Sequence, residues 1–322
     1  MMIKYFFRLN LLIPMLIFLS LVSLFIGVKD ISMFNIMSLT QEEMEILTIV
    51  RLPRLISIII TGMSLSICGL IMQQLTQNKF VSPTTAGTMD CAKFGILICM
   101  LFFSGFNFIY QIFIAFIFTL IGSVIFIQIL QKIKLKEIVF VPLVGLMFGG
   151  VINSITTFFA YENNMIQNIQ GWLQGNFSSI MIGNYEILFI SIPIFIIAYF
   201  FANKITIVGM GKDVSLNLGV SYNTILYIGL IIVSIVVSIV VLTIGVIPFL
   251  GLVIPNIVSI YKGDNLKAVL FYTAILGAAF LLVCDILSRT IIHPFEIPIN
   301  LTVGIIGGVL FVWILLRKKT NA

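Results

Sequence analysis

Charge is what this chain has least of. Asp, Glu, Lys and Arg make up 9% of its 322 residues, against 60% hydrophobic side chains and a mean hydropathy of +1.20. So few charged groups cannot cover a water-exposed surface, which excludes an ordinary soluble globular fold and makes the bilayer the solvent. Histidine occurs once, as His293, and the four cysteines (Cys68, Cys91, Cys99, Cys284) form no CxxC pair and lie in or beside apolar runs. That inventory suggests neither a metal centre nor a disulfide framework, and the cysteines read as small packing residues. A phosphate-binding loop is missing too. The nearest approach, GMGKDVS at 209–215, lacks the GxxxxGK[ST] spacing that would cradle a nucleotide. No membrane-embedded Ser/His or metal-ligand constellation points to an enzyme, and no alternating apolar/polar pattern points to barrel strands.

Long apolar runs are what the chain has instead. They predict an all-α polytopic membrane protein, a single domain over residues 1–322, with about ten spans at 9–28, 54–75, 91–106, 108–130, 138–160, 185–203, 223–243, 248–261, 268–287 and 297–316. The first is expected to be a retained span rather than a cleaved signal, because it is long and lacks an Ala-x-Ala-like exit. The third and eighth are short for a straight crossing. Breaks at 82–87 and 245–251 suggest half-buried, irregular backbone rather than plain loops. With both termini in the cytoplasm, fourteen of the eighteen Lys and Arg fall inside, Lys79, Lys93, Lys132, Lys134 and Lys136 among them. The basic balance therefore reports topology and not nucleic-acid binding.

Three of the remaining cations are exceptions that need a cause. Arg51, Arg54 and Arg289 each stand beside the end of a span on the outer side. They either anchor to headgroups and pair locally (Arg51 or Arg54 with Glu45, Arg289 with Asp285 or Glu296), or offer cationic contacts to an external partner. Polar residues inside spans are the other place to look for function, since they are expensive in lipid. Gln73 and Gln74 close the second span, and Asn153, Ser154, Thr156 and Thr157 cluster in the fifth; both groups are candidates for a translocation path, with helix packing as the alternative. Gly145 and Gly149 form a GxxxG step, and Gly304, Gly307 and Gly308 thin one side of the last span, which marks both as candidate helix-contact faces. Residues 204–222 form the longest polar stretch on the cytoplasmic side.

Several blocks together resemble one family. RLPRLISIIITGMSLSICGLIMQQLTQNKFVSPTTAGT, GVIPFLGLVIPNIVSIYKGDN and LGAAFLLVCDILSRTIIHPFEIPINLTVGIIGGVLFVWILL, in that order, are similar to the permease subunits of iron–siderophore and cobalamin ABC importers, the FecCD-like family. The resemblance implies ten helices per subunit in a bacterial cytoplasmic membrane, a second permease of the same or a paralogous chain, two ATPases that hydrolyse the ATP, and an external siderophore-binding protein. It implies that Arg51, Arg54 and Arg289 receive carboxylates of that binding protein, for which a planar guanidinium fork is suited. It implies a coupling role toward the ATPase for Lys212, Asp213, Leu216, Leu218 and Gly219, in two short helices divided near Gly219, and a permease–permease interface at the two glycine faces. No cofactor or metal is expected in this chain. Pro255-Asn256, where many relatives have Pro-His, and the run Ile257-Val258-Ser259 look most similar to the branch serving catecholate or petrobactin-type siderophores. An ion-coupled carrier with inverted five-helix halves is the competing class, disfavoured by a shortage of buried ionisable residues.

Overall fold

The computed structural model describes residues 9–27, 40–103, 105, 107–133 and 139–319. Among them every regular element is helical: α1 (Leu9–Phe25), α2 (Gln41–Glu45), a π-helical turn (Ile46–Arg51), α3 (Leu52–Leu75), α4 (Thr88–Phe102), α5 (Phe108–Lys132), α6 (Phe140–Glu162), α7 (Ile166–Leu173), a 3-10 turn (Glu186–Ile190), α8 (Ser191–Gly209), α9 (Lys212–Asn217), α10 (Tyr222–Thr243), α11 (Leu250–Lys262), α12 (Leu266–Thr290) and α13 (Ile299–Lys319). Each of the ten apolar runs forms a helix. Seven stretches are long and apolar enough to cross a membrane, while α1 and α11 are shorter apolar helices. With 15 residues, α4 is short as well.

The RLPR block explains the π-turn. Thr40 and Glu43 make a reciprocal capping box that starts α2, and the helix then runs without a break to Leu75. Pro53 has no N–H for the carbonyl four residues back and its ring crowds that carbonyl; a wider π-turn just ahead of it keeps the helix continuous.

Most of α3 is buried, and glycines let other backbones reach it. A Cβ at Gly62 would stand 2.7 Å from the backbone of Gly277 and Ala278 in α12, and one at Gly69 would overlap the Gly251 carbonyl of α11. Without a hydrophobic drive between helices in lipid, such close approach is what gives packing its strength. The irregular segments expected at 82–87 and 245–251 are mostly buried, and they meet where Gly251 contacts Pro83. Their polar groups are bonded internally, as backbone at membrane depth requires: Ser82 N–H donates to Thr85 Oγ1 at 2.8 Å, Thr88 Oγ1 to the Pro83 carbonyl at 2.8 Å, and Asn256 Nδ2 to the Lys79 carbonyl at 2.7 Å.

Candidate functional site

The three exceptional arginines converge at one end of the bundle and turn inward. Arg54 lies in the first turn of α3, and its Nη2 and Nε donate to Asp285 Oδ1 of α12 at 2.8 and 3.2 Å, while Nη1 holds both oxygens of Glu296 at 2.9 Å. Arg289 Nη2 pairs with Asp285 Oδ2 at 2.6 Å across one helical turn. Its guanidinium also ties down the end of α1, donating to Ser23 O at 3.0 Å, Ile26 O at 2.7 Å and Ser23 Oγ at 2.6 Å. Arg51 donates to Leu24 O at 2.8 Å, and Gly27 leaves the space its guanidinium fills, since a Cβ there would lie 2.7 Å from Arg51 Nη2.

Of the local pairs weighed from sequence, Arg289 with Asp285 forms. Arg54 reaches Asp285 and Glu296 and not Glu45, because the α12–α13 turn folds back over the start of α3. All three arginines are buried, at 5–8% exposure. Of the two readings the sequence left open, local pairing is the one seen within the chain, where the three side chains clamp α1, α3 and α12 together. Arg54 borders an open cleft of about 170 Å³, shared with Gln174, Asn176, Ser178 and Glu296.

The residues expected along a path separate into two groups. Gln73 is buried, with Nε2 3.5 Å from the Leu252 carbonyl, and Gln74 donates to the Asp264 carbonyl at 3.1 Å while its side chain fills the space over Gly209. Both brace the end of α3 against neighbouring helices. On α6, Thr156 is buried, Asn153 is half-buried, and Ser154 and Thr157 are exposed. Asn153 carries an unforeseen contact: its Oδ1 accepts from Lys93 Nζ of α4 at 3.1 Å, and Lys93 pairs with Asp90 at 2.7 Å. The charge count took Lys93 as one of the cytoplasmic-side cations, and it is 2% exposed inside α4. The loop ahead of α4 is itself buried, so the charge enters the helix pack. Two charges three residues apart within an apolar run were the available signal.

Gly145 and Gly149 do not face outward either. A Cβ at Gly145 would overlap the Thr85 carbonyl, and one at Gly149 would stand 2.7 Å from Asp90 Oδ2. These glycines seat α6 against the turn into α4 within the protomer. On α13, Gly307 packs on Phe249, whereas Gly304 and Gly308 have open space where a side chain would go.

At the opposite end from the arginines, α9 projects from the bundle. Ser215 is buried and donates to the carbonyls of Gly211 at 2.7 Å and Ile207 at 3.2 Å, which fixes α9 on the end of α8. Lys212 and Asp213 are exposed, and so are Met210, Leu216 and Leu218 at 57–60%. Gly219, at φ +71°, ends α9 in the left-handed region. A second short helix does not form: after Ser221 nothing breaks the pattern before Thr243, and α10 runs through. Behind α9 lies a cleft of about 510 Å³ between Gln77, Gln131, Lys212, Asp213, Tyr222 and Asn223. Close by, Lys79 Nζ binds Asp264 at 2.8 and 2.9 Å and Ser259 Oγ at 2.8 Å, a network the sequence did not announce.

Comparison with known proteins adds the following. The model of the FecCD transport family matches residues 15–317. The petrobactin import system permease protein YclN of Bacillus subtilis (strain 168) is 54% identical over 98% of this chain and all of its own length. The ferric-anguibactin transport system permease protein FatD of Vibrio anguillarum is 40% identical over 92% of this chain and 94% of its own. A solved structure described as an inward-facing conformation of a metal-chelate type ABC transporter superposes with a TM-score of 0.82 at 22% identity, over 95% of this chain and 97% of that one. At that identity the superposition speaks for the fold alone.

Proposed function

The chain belongs to the FecCD transport family, and from that premise we propose that it is the membrane-spanning permease subunit of a bacterial ABC importer for ferric siderophores. End-to-end similarity to a petrobactin permease at 54% identity carries the reading and favours a petrobactin-like catecholate cargo. All ten apolar helices cross or enter the membrane, with both termini cytoplasmic. A separate ATPase supplies the energy, and the exposed, hydrophobic α9 with the turn to Gly219 is the part that meets it. The second permease packs on α13 at Gly304 and Gly308. An external binding protein docks at the arginine end. There Arg54 is approached through its cleft by displacing Glu296, whose side chain is 29% exposed, while Arg51 and Arg289 hold the platform from beneath. The chain itself is not an enzyme.

Uptake of radiolabelled ferric petrobactin, in cells stripped of other siderophore permeases, tests this. Uptake is expected only when the permease, an ATPase and a binding protein are all present. Uptake by the permease alone, driven by an ion gradient, refutes it.

A further inference from the structure

Lys93 and Asp90 form an ion pair where stability gives no reason for one. Asn153, their partner on α6, lies ~20 Å along a helix of 23 residues and ~35 Å, close to its midpoint. Replacing a buried ion pair by apolar side chains is often neutral or stabilising, so burial of Lys93 at 2% exposure calls for another explanation. Gly149 leaves room for the carboxylate, since a Cβ there would stand 2.7 Å from Asp90 Oδ2.

The chemistry of the three groups fixes a direction. An ammonium has only donors, so the Asn153 carboxamide must turn its oxygen toward Lys93 and its NH2 away. Among the described residues that NH2 makes no hydrogen bond, and it is not sealed inside the protein. Its neighbours on the open side of α6 have the opposite character. Ser154 Oγ donates to the Gly150 carbonyl at 2.9 Å and Thr157 Oγ1 to the Asn153 carbonyl at 2.8 Å, so both hydroxyls are left as acceptors. Asn153 is thus the donor on this stretch, held in one orientation by a buried cation.

Resting on the importer reading above, we propose that Asn153 contacts the passing cargo, donating to the anionic oxygen ligands of a ferric chelate, and that Lys93, held by Asp90, is its positioning residue. A donor presented by a neutral amide offers an oxygen-rich anion a weak hold that it can leave, as passage requires.

The complete importer, with ATPase and binding protein, is reconstituted in vesicles and given ferric petrobactin. Asn153→Asp, nearly isosteric but with an acceptor in place of the donor, is expected to lower import at saturating chelate roughly tenfold at an equal amount of assembled complex. Lys93→Met lowers it by roughly threefold by freeing the amide to turn, and Lys93→Arg restores it. Contact is read separately with Asn153→Cys against a background of four buried native cysteines: a membrane-impermeant maleimide labels the new thiol, and the chelate protects it during turnover. A residue with only a packing role gives no such protection. Wild-type import with an unaffected Asn153→Asp, or labelling that the chelate does not change, overturns this inference alone. A wild-type complex that assembles but imports no ferric petrobactin overturns the siderophore reading beneath it.

Discussion

Asp285→Asn removes one charge from the centre of the arginine cluster and should be among the most damaging single-atom changes in the chain. Asp285 is fully buried and faces two guanidiniums: Arg54 at 2.8 Å and Arg289 at 2.6 Å. Removing one partner of a buried ion pair strands the other charge and costs about 3–5 kcal/mol. Asparagine keeps the volume and one acceptor oxygen, Arg54 keeps Glu296, and Arg289 keeps the α1 carbonyls, so the low end, about 3 kcal/mol, is expected. Glu296→Gln is the internal comparison. Its side chain is 29% exposed, solvent screens the pair, and about 1 kcal/mol is expected. SDS titration of the purified protein in mixed micelles, followed by circular dichroism, measures both. A loss below about 1 kcal/mol for Asp285→Asn, or a larger loss for Glu296→Gln, refutes the view that this cluster is a structural clamp.

Other consequences can be checked independently. Leu216→Glu with Leu218→Glu, both on exposed positions of α9, should leave the protein folded but abolish co-purification of the ATPase in detergent. Gly277→Val should prevent accumulation of folded protein in the membrane, because its side chain would enter the α3 backbone at Gly62; Gly304→Leu, with open space around it, should leave the protomer folded and lower only the fraction of paired permease seen by cross-linking. Arg54→Glu should weaken binding-protein docking, read by surface plasmon resonance on nanodiscs, and also lower stability, since it faces Asp285 and Glu296.

Sequence made the ten apolar helices legible because each rests on local information, the length of its apolar run, and Gly219 marked the end of α9. It also marked the broken segments, since Ser82-Pro83 and Gly245–Pro248 cannot continue a helix. What it could not supply was facing direction. Gly145 and Gly149 look identical whether they admit a second subunit or the Asp90 carboxylate, and the GxxxG spacing carries no label for the partner. Arg54 finds Asp285 and Glu296 across 231 and 242 residues, so the choice between solvent and an internal carboxylate depended on how two distant helices cross. The burial of Lys93 was hidden for a related reason: a charge count assigns side by position along the chain, and it does not show that the chain before α4 turns into the protein.

The same contacts constrain which helices are free to move. Helices α3 and α12 run antiparallel, tied at one end by Arg54 and Asp285 and at the other by Lys79, just past α3, and Asp264, just before α12. Midway, Gly62 meets Gly277 and Ala278 backbone to backbone. Sliding one helix past the other would break both ion pairs and the glycine contact together, which gives the pair the character of a rigid body. Helix α6 is held differently. Among the described residues its polar tie to α4 is the Lys93–Asn153 bond, and most of its remaining surface is open. Close packing rather than polar bonding holds α6 in place, through Gly145 on the Thr85 carbonyl and Gly149 beside Gly87 and Asp90, whereas the α3–α12 pair is fastened by both.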